Sequence, residues 1–111
     1  MRLDNSNWNM MKRVEAFVSS EKSETVLYAL ESSNYQVTFF DSKGMGKGEK
    51  QELSVKGRTM KMKYSTIRII VTIVDENKLK EVIAIIKESG SKGTTSSGVI
   101  VISPVDDFLI L

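Results

Sequence analysis

A strand that is apolar on both sides leaves a small chain few ways to fold. Between Tyr64 and Val74 the sequence sets Ile69 next to Ile70, with Ile67, Val71 and Ile73 in the same run. Phe39 next to Phe40 repeats the pattern between Tyr35 and Asp41. Successive side chains of a strand point to opposite faces of its sheet, so both faces here are apolar and both need cover. Helices from the same chain supply one cover. The second face is therefore expected to be buried against further copies of the chain, and an oligomer follows from the residues alone.

The helices are readable. Lys12 to Ser20 first gives a strand by its period of two, with Val14, Ala16 and Val18 on one side and Arg13, Glu15 and Phe17 on the other. Ser20 or Ser23 then caps a helix carrying Val26, Leu27, Ala29 and Leu30, which ends near Ser33 and Asn34, where asparagine accepts a left-handed turn. Asp75 or Asn77 caps a second helix with Leu79, Val82, Ile83, Ile85 and Ile86 at helical spacing, and Gly90 suits its end. Val99 to Ile102 is a last strand before Pro104 and the apolar tail Phe108 to Leu111. The order β-α-β, long loop, β-α-β predicts an α+β fold, the ferredoxin-like βαββαβ sandwich. With 111 residues there is room for one domain, expected over 11–111 after a flexible N-terminal lead-in at 1–10 that includes Trp8.

The chain has no cysteine and no histidine. That removes thiol nucleophiles, the usual zinc ligands, and the side chain best suited to proton transfer near neutral pH. Asp106 and Asp107 follow Pro104 as an exposed turn, and the methionines form no cluster with a second kind of metal ligand. The reading is no enzyme, no metal site and no required cofactor. From the polar start and the lack of an apolar run long enough to span a bilayer, a cytoplasmic location is expected.

Two loops stand out. Lys43 to Lys63 is read as about 20 residues without regular structure, and such loops in small domains tend to be functional. It has glycines at 44, 46, 48 and 57 and seven cations (Lys43, Lys47, Lys50, Lys56, Arg58, Lys61, Lys63) against Glu49 and Glu52. A basic arm of this kind steers toward an acidic or membrane-bound partner. It lacks the aromatic platforms of single-strand binders, so nucleic acid is not expected. The second loop, 90–98, combines Lys92, Gly93 and Gly98 with four adjacent hydroxyls, Thr94, Thr95, Ser96 and Ser97. Glycine amides and hydroxyls together suit an anion.

Together these segments resemble the PII nitrogen-regulatory family. Met11-Lys12-Arg13-Val14-Glu15-Ala16 looks like its opening strand, and Lys43-Gly44-Met45-Gly46-Lys47 like the base of its large T-loop. Lys56-Gly57 falls near the loop tip. Gly98-Val99-Ile100-Val101-Ile102 and Ser103-Pro104-Val105 close the pattern after a glycine-bearing B-loop. The resemblance implies a homotrimer that binds ATP or ADP in three clefts between subunits. It also implies a T-loop that regulates a membrane transporter, such as an ammonium transporter, or an enzyme. It carries ligand binding onto Thr38, Gly44, Gly46, Lys47, Lys92, Gly93, Thr94, Thr95, Ser96, Ser97 and Gly98. Partner binding falls on Lys50, Lys56, Gly57 and Arg58.

There are departures. Where the family has a lysine after the second B-loop glycine, this chain has Val99, and its C-terminal arginines are replaced by Phe108-Leu109-Ile110-Leu111. The loop glutamine that serves magnesium and 2-oxoglutarate falls at Gly48, and no tyrosine lies between Gly46 and Lys63 for uridylylation. Each lost charge-assisted contact to a triphosphate is worth roughly 1.5–3 kcal/mol. AMP, ADP, ATP or a cyclic nucleotide stay open as ligands, with Lys47 and Lys92 as cations. So does a trimeric interaction scaffold that has lost nucleotide binding. A metal-tolerance relative with the same trimeric fold finds only methionine as a soft ligand.

Overall fold

The computed structural model describes residues 11–45, 52–55, 58–61, 65–91 and 98–111, the segments 52–55 and 58–61 through their backbone. Strand β1 (Met11–Ser19) leads directly into helix α1 (Ser20–Ser32), and β2 (Thr38–Gly44) follows a short connection. Two brief strands, β3 (Glu52–Val55) and β4 (Arg58–Lys61), pair as a hairpin. The long strand β5 (Ser65–Asp75), a single 3-10 turn at Glu76–Lys78, helix α2 (Leu79–Gly90) and β6 (Gly98–Pro104) complete the chain. The main sheet has the order β2-β5-β1-β6 with every neighbour antiparallel. This is the ferredoxin-like α+β sandwich that the strand and helix pattern predicts.

Register decides which side chains share a face. Ala16 pairs with Ile70 and Ile100, and Ile70 with Phe39, so these four point to the helices. Val14, Ala16, Val18, Ile70 and Val74 there meet Val26 and Leu30 of α1 and Val82 and Ile86 of α2, all nearly sealed from solvent. The opposite face carries Phe17, Phe40, Ile69, Val71, Val99 and Val101, set by the pairs Phe17–Ile69, Phe17–Val99, Phe40–Ile69 and Glu15–Val101. Within one chain nothing among the described elements packs over it.

Several local readings need correction. The helix begins after Ser19, not at a capping Ser20 or Ser23, and the Ser23 hydroxyl turns back to donate to the Ser20 carbonyl at 2.7 Å. Asp75 precedes a 3-10 turn and makes no side-chain cap, so α2 starts only at Leu79. Gly90 is the last helical residue and does not turn left-handed. Its role is space, since a Cβ there would lie 3.3 Å from Val26 Cγ2. The span from Lys43 to Lys63, read as irregular, holds the β3–β4 hairpin.

Asn34 does take the left-handed conformation, with φ 66°. Its N–H reaches the Glu31 carbonyl and the Tyr35 N–H reaches Leu30, the double closure of a Schellman turn. Tyr35 is thereby drawn off the strand expected to start there, and its hydroxyl donates to Glu81 of α2. Burial, then that hydrogen bond and the Glu81 charge, push the phenol up to about 12. A raised phenol pKa stabilises the fold fully below the free value of about 10 and loses that contribution as pH climbs through 12. Ultraviolet titration of the tyrosinates should show one late component that Tyr35→Phe removes and Glu81→Gln moves earlier.

Candidate functional site

The antiparallel order puts the C-terminal ends of β1 and β2 beside the N-terminal ends of β5 and β6. Ser19, Gly44, Ser65 and Gly98 therefore share one end of the sheet, and the spans 45–64 and 92–97 join it there. Met11, Asp75 and Pro104 share the other end, while Thr38, at the start of the shorter β2, is level with Val71 and Glu15 in the middle of the sheet.

Gly98 is fitted to its place without clearance. Its φ is +149°, and an added Cβ would fall 1.9 Å from the Phe17 carbonyl oxygen. The backbones of β1 and β6 meet so closely that only glycine can open β6, and this fixes where the preceding loop arrives. Gly44 is roomier, with Ile67 Cδ1 3.5 Å from such a Cβ.

A cleft curls around the start of β2, lined on one side by Leu27, Tyr28 and Glu31 of α1 with Tyr35, and on the other by Arg13 and Ile73. Thr38 and Phe40 lie in it. Thr38 is opposite Val71 and so belongs to the open face. The chain enters β2 along a fixed path, because the Thr72 hydroxyl donates to the Gln36 carbonyl at 2.8 Å.

Further along β2, Arg68 binds two elements to its own strand. Its Nε donates to Asp41 at 2.8 Å and its Nη1 to Glu24 of α1 at 2.8 Å, while its carbon lies 5.0 Å from the Phe39 ring centre. The Arg68 hydrogen bond holds the Asp41 carboxyl below its ordinary range, and the Asp41 and Glu24 hydrogen bonds raise the guanidinium in turn. A lowered carboxyl pKa stabilises the fold above about 3.9 and loses that contribution as pH falls through the lowered value. In Arg68→Met, the Asp41 midpoint followed by NMR should climb back toward the free value, and the thermal melt near pH 7 should drop. An unmoved midpoint would mean the pair is not formed in solution.

The sequence reading missed this cluster, although Arg68 is the lone charge in an apolar strand run. Of the predicted ligand residues, Gly44 and Gly98 come to one end of the sheet, on its two opposite edges, and Thr38 lies at the far end of β2, level with the middle of β1 and β5. Six residue steps along β2 separate Thr38 from Gly44, about 20 Å along an extended strand. One chain does not unite them. Arg58 opens β4, opposite Val55. Gly46, Lys47, Lys50, Lys56, Gly57, Lys92, Gly93, Thr94, Thr95, Ser96 and Ser97 lie outside the described residues. Among the described residues no group of three acidic side chains is placed to hold a metal ion, and no helix is long and apolar enough to cross a membrane.

The family model for nitrogen regulatory protein P-II matches residues 11–111. A similar curated protein is the nitrogen fixation nifHD region GlnB-like protein 1 of Methanothermobacter marburgensis, 34% identical over 101 residues, which are 87% of this chain and 90% of that one. Among solved structures, Arabidopsis thaliana PII bound to citrate aligns with a TM-score of 0.66 at 22% identity, over 87% of this chain and 78% of that one. The last comparison speaks for the fold.

Proposed function

Because this chain belongs to the nitrogen regulatory protein P-II family of signal-transduction regulators, we propose that it is a cytoplasmic, non-enzymatic homotrimer that senses an adenine nucleotide between subunits. Its T-loop passes the signal to a membrane transporter or an enzyme. The observation that carries the reading is the separation of Thr38 from Gly44 and Gly98 in one chain, together with an apolar sheet face that has no cover of its own. Copies joined through that face bring the start of β2 of one subunit toward the loop end of the next. The ligand then sits between Thr38 and Phe40 on one side and the glycine amides of 44, 46, 93 and 98 on the other. Lys47 and Lys92 neutralise phosphate, and the hydroxyls of Thr94, Thr95, Ser96 and Ser97 add donors. Lys50, Lys56, Gly57 and Arg58 belong to the arm that meets the partner.

The ligand is expected to carry less phosphate charge than magnesium–ATP. Val99, 60% exposed, stands where the resemblance calls for a lysine, and the tail offers Phe108 to Leu111 in place of arginines. The same observation favours a second reading, a trimeric scaffold without nucleotide. Calorimetry with AMP, ADP, ATP and cyclic nucleotides, with and without magnesium and 2-oxoglutarate, separates the two. Citrate joins the panel because the plant relative holds it. Saturable binding of a nucleotide, tightest for one of lower charge, is expected. Silence from every compound would remove the sensor and leave the scaffold.

A further inference from the structure

The open face is mainly apolar but carries two adjacent charges on one strand. β1 is an inner strand of the sheet, and its Arg13 and Glu15 stand on the open face, next to each other in line. Their neighbours across the ladders are Ile73 and Ser103 for Arg13, and Val71 and Val101 for Glu15. Arg13 Nη2 and Glu15 Oε2 are 3.3 Å apart, with side chains 43% and 24% exposed. That single contact uses one guanidinium nitrogen and one carboxylate oxygen. Among the described residues Nε, Nη1 and Oε1 have no other partner.

Covering this face desolvates both charges. An apolar partner would leave the free donors and the free oxygen stranded without water or a counter-charge, which disfavours that pairing. A partner that brings one cation and one anion at the same spacing satisfies them, and another copy of this chain is such a partner. We propose that Arg13 and Glu15 are the recognition element of the open face: the Arg13 of each copy pairs with the Glu15 of the adjacent one. The face thereby selects copies of this chain over other apolar sheets. The inference rests on the assembly proposed above and adds the residues that make it specific.

The test is charge reversal in the full chain, read by analytical ultracentrifugation and native mass spectrometry. The pair is solvent-accessible in one chain, so Arg13→Glu and Glu15→Arg should keep their helix signal and melt as folded proteins. Each alone should weaken assembly by about 100-fold or more, the loss that follows from leaving a charge buried and unpaired. The double reversal in one chain should restore it. A mixture of the two single variants should recover assembly only in part, because in a ring of three one interface always joins two copies of the same variant. Arg13→Gln and Glu15→Gln, which create no repulsion, should weaken assembly less than the reversals. Wild-type oligomers with single variants that assemble equally well would overturn the inference and leave the assembly standing. A wild type that stays monomeric at micromolar concentration would remove the assembly, and the inference with it.

Discussion

Gly98→Ala should cost about 3 kcal/mol or more of folding stability, enough to unfold much of a domain whose whole margin is about 5–15 kcal/mol. The methyl group would lie 1.9 Å from the Phe17 oxygen and 2.9 Å from the Phe17 carbonyl carbon, and backbone cannot move aside as a side chain can. The φ of +149° adds strain that only glycine escapes. Relief requires β6 to part from β1, which uncovers Val18 and Ala16 at the centre of the core. Gly90→Ala is the built-in comparison. Its Cβ would meet only the Val26 Cγ2 methyl at 3.3 Å, and the gain in helix propensity of up to about 1 kcal/mol offsets that crowding. Urea titration of both variants is the check. Equal midpoints for Gly98→Ala and wild type would mean that the seam between β1 and β6 is looser than described.

The second large effect concerns assembly. Val101 is 40% exposed on the open face, in register with Glu15. An aspartate in its place stays wetted in a single chain, so the fold should survive with a melt close to that of wild type. In a covered interface the same carboxylate is buried beside Glu15 without a cation of its own. Such burial costs several kcal/mol, which weakens association by about 100-fold or more. Val101→Asp should therefore sediment as a monomer where wild type does not. If the ligand lies between subunits, it should also lose nucleotide binding, although Val101 and Thr38 sit on opposite edge strands of the sheet. A monomer that still binds nucleotide would place the cleft within one chain.

Much of the fold was legible because its signals are local and repeated. The alternation of Val14, Ala16 and Val18 and the helical spacing of Val82 and Ile86 name the buried faces directly. Boundaries were harder where tertiary contacts decide them. Tyr35 reads as strand, yet its hydroxyl is held by Glu81, far along the chain, and so β2 begins three residues later. The hairpin at Glu52–Lys61 escaped notice because β3 and β4 are four residues each, inside a stretch dominated by charge and glycine. For the candidate site, glycines and cations could be listed from the sequence, but their separation could not. That Thr38 and Gly44 sit at opposite ends of one strand is a matter of register and length, and the sequence motif carries neither.

The β3–β4 hairpin forms its own two-stranded sheet and shares no ladder with the four strands that carry the core. Such an arrangement makes the two parts separately heritable. On the function proposed above, substitutions in the hairpin would change which partner is addressed without disturbing what the assembly detects, and drift in the core would proceed while the address is kept. Relatives of this chain should then diverge fastest between β2 and β5, and an exchange of that segment between two of them should transfer partner choice as a cassette.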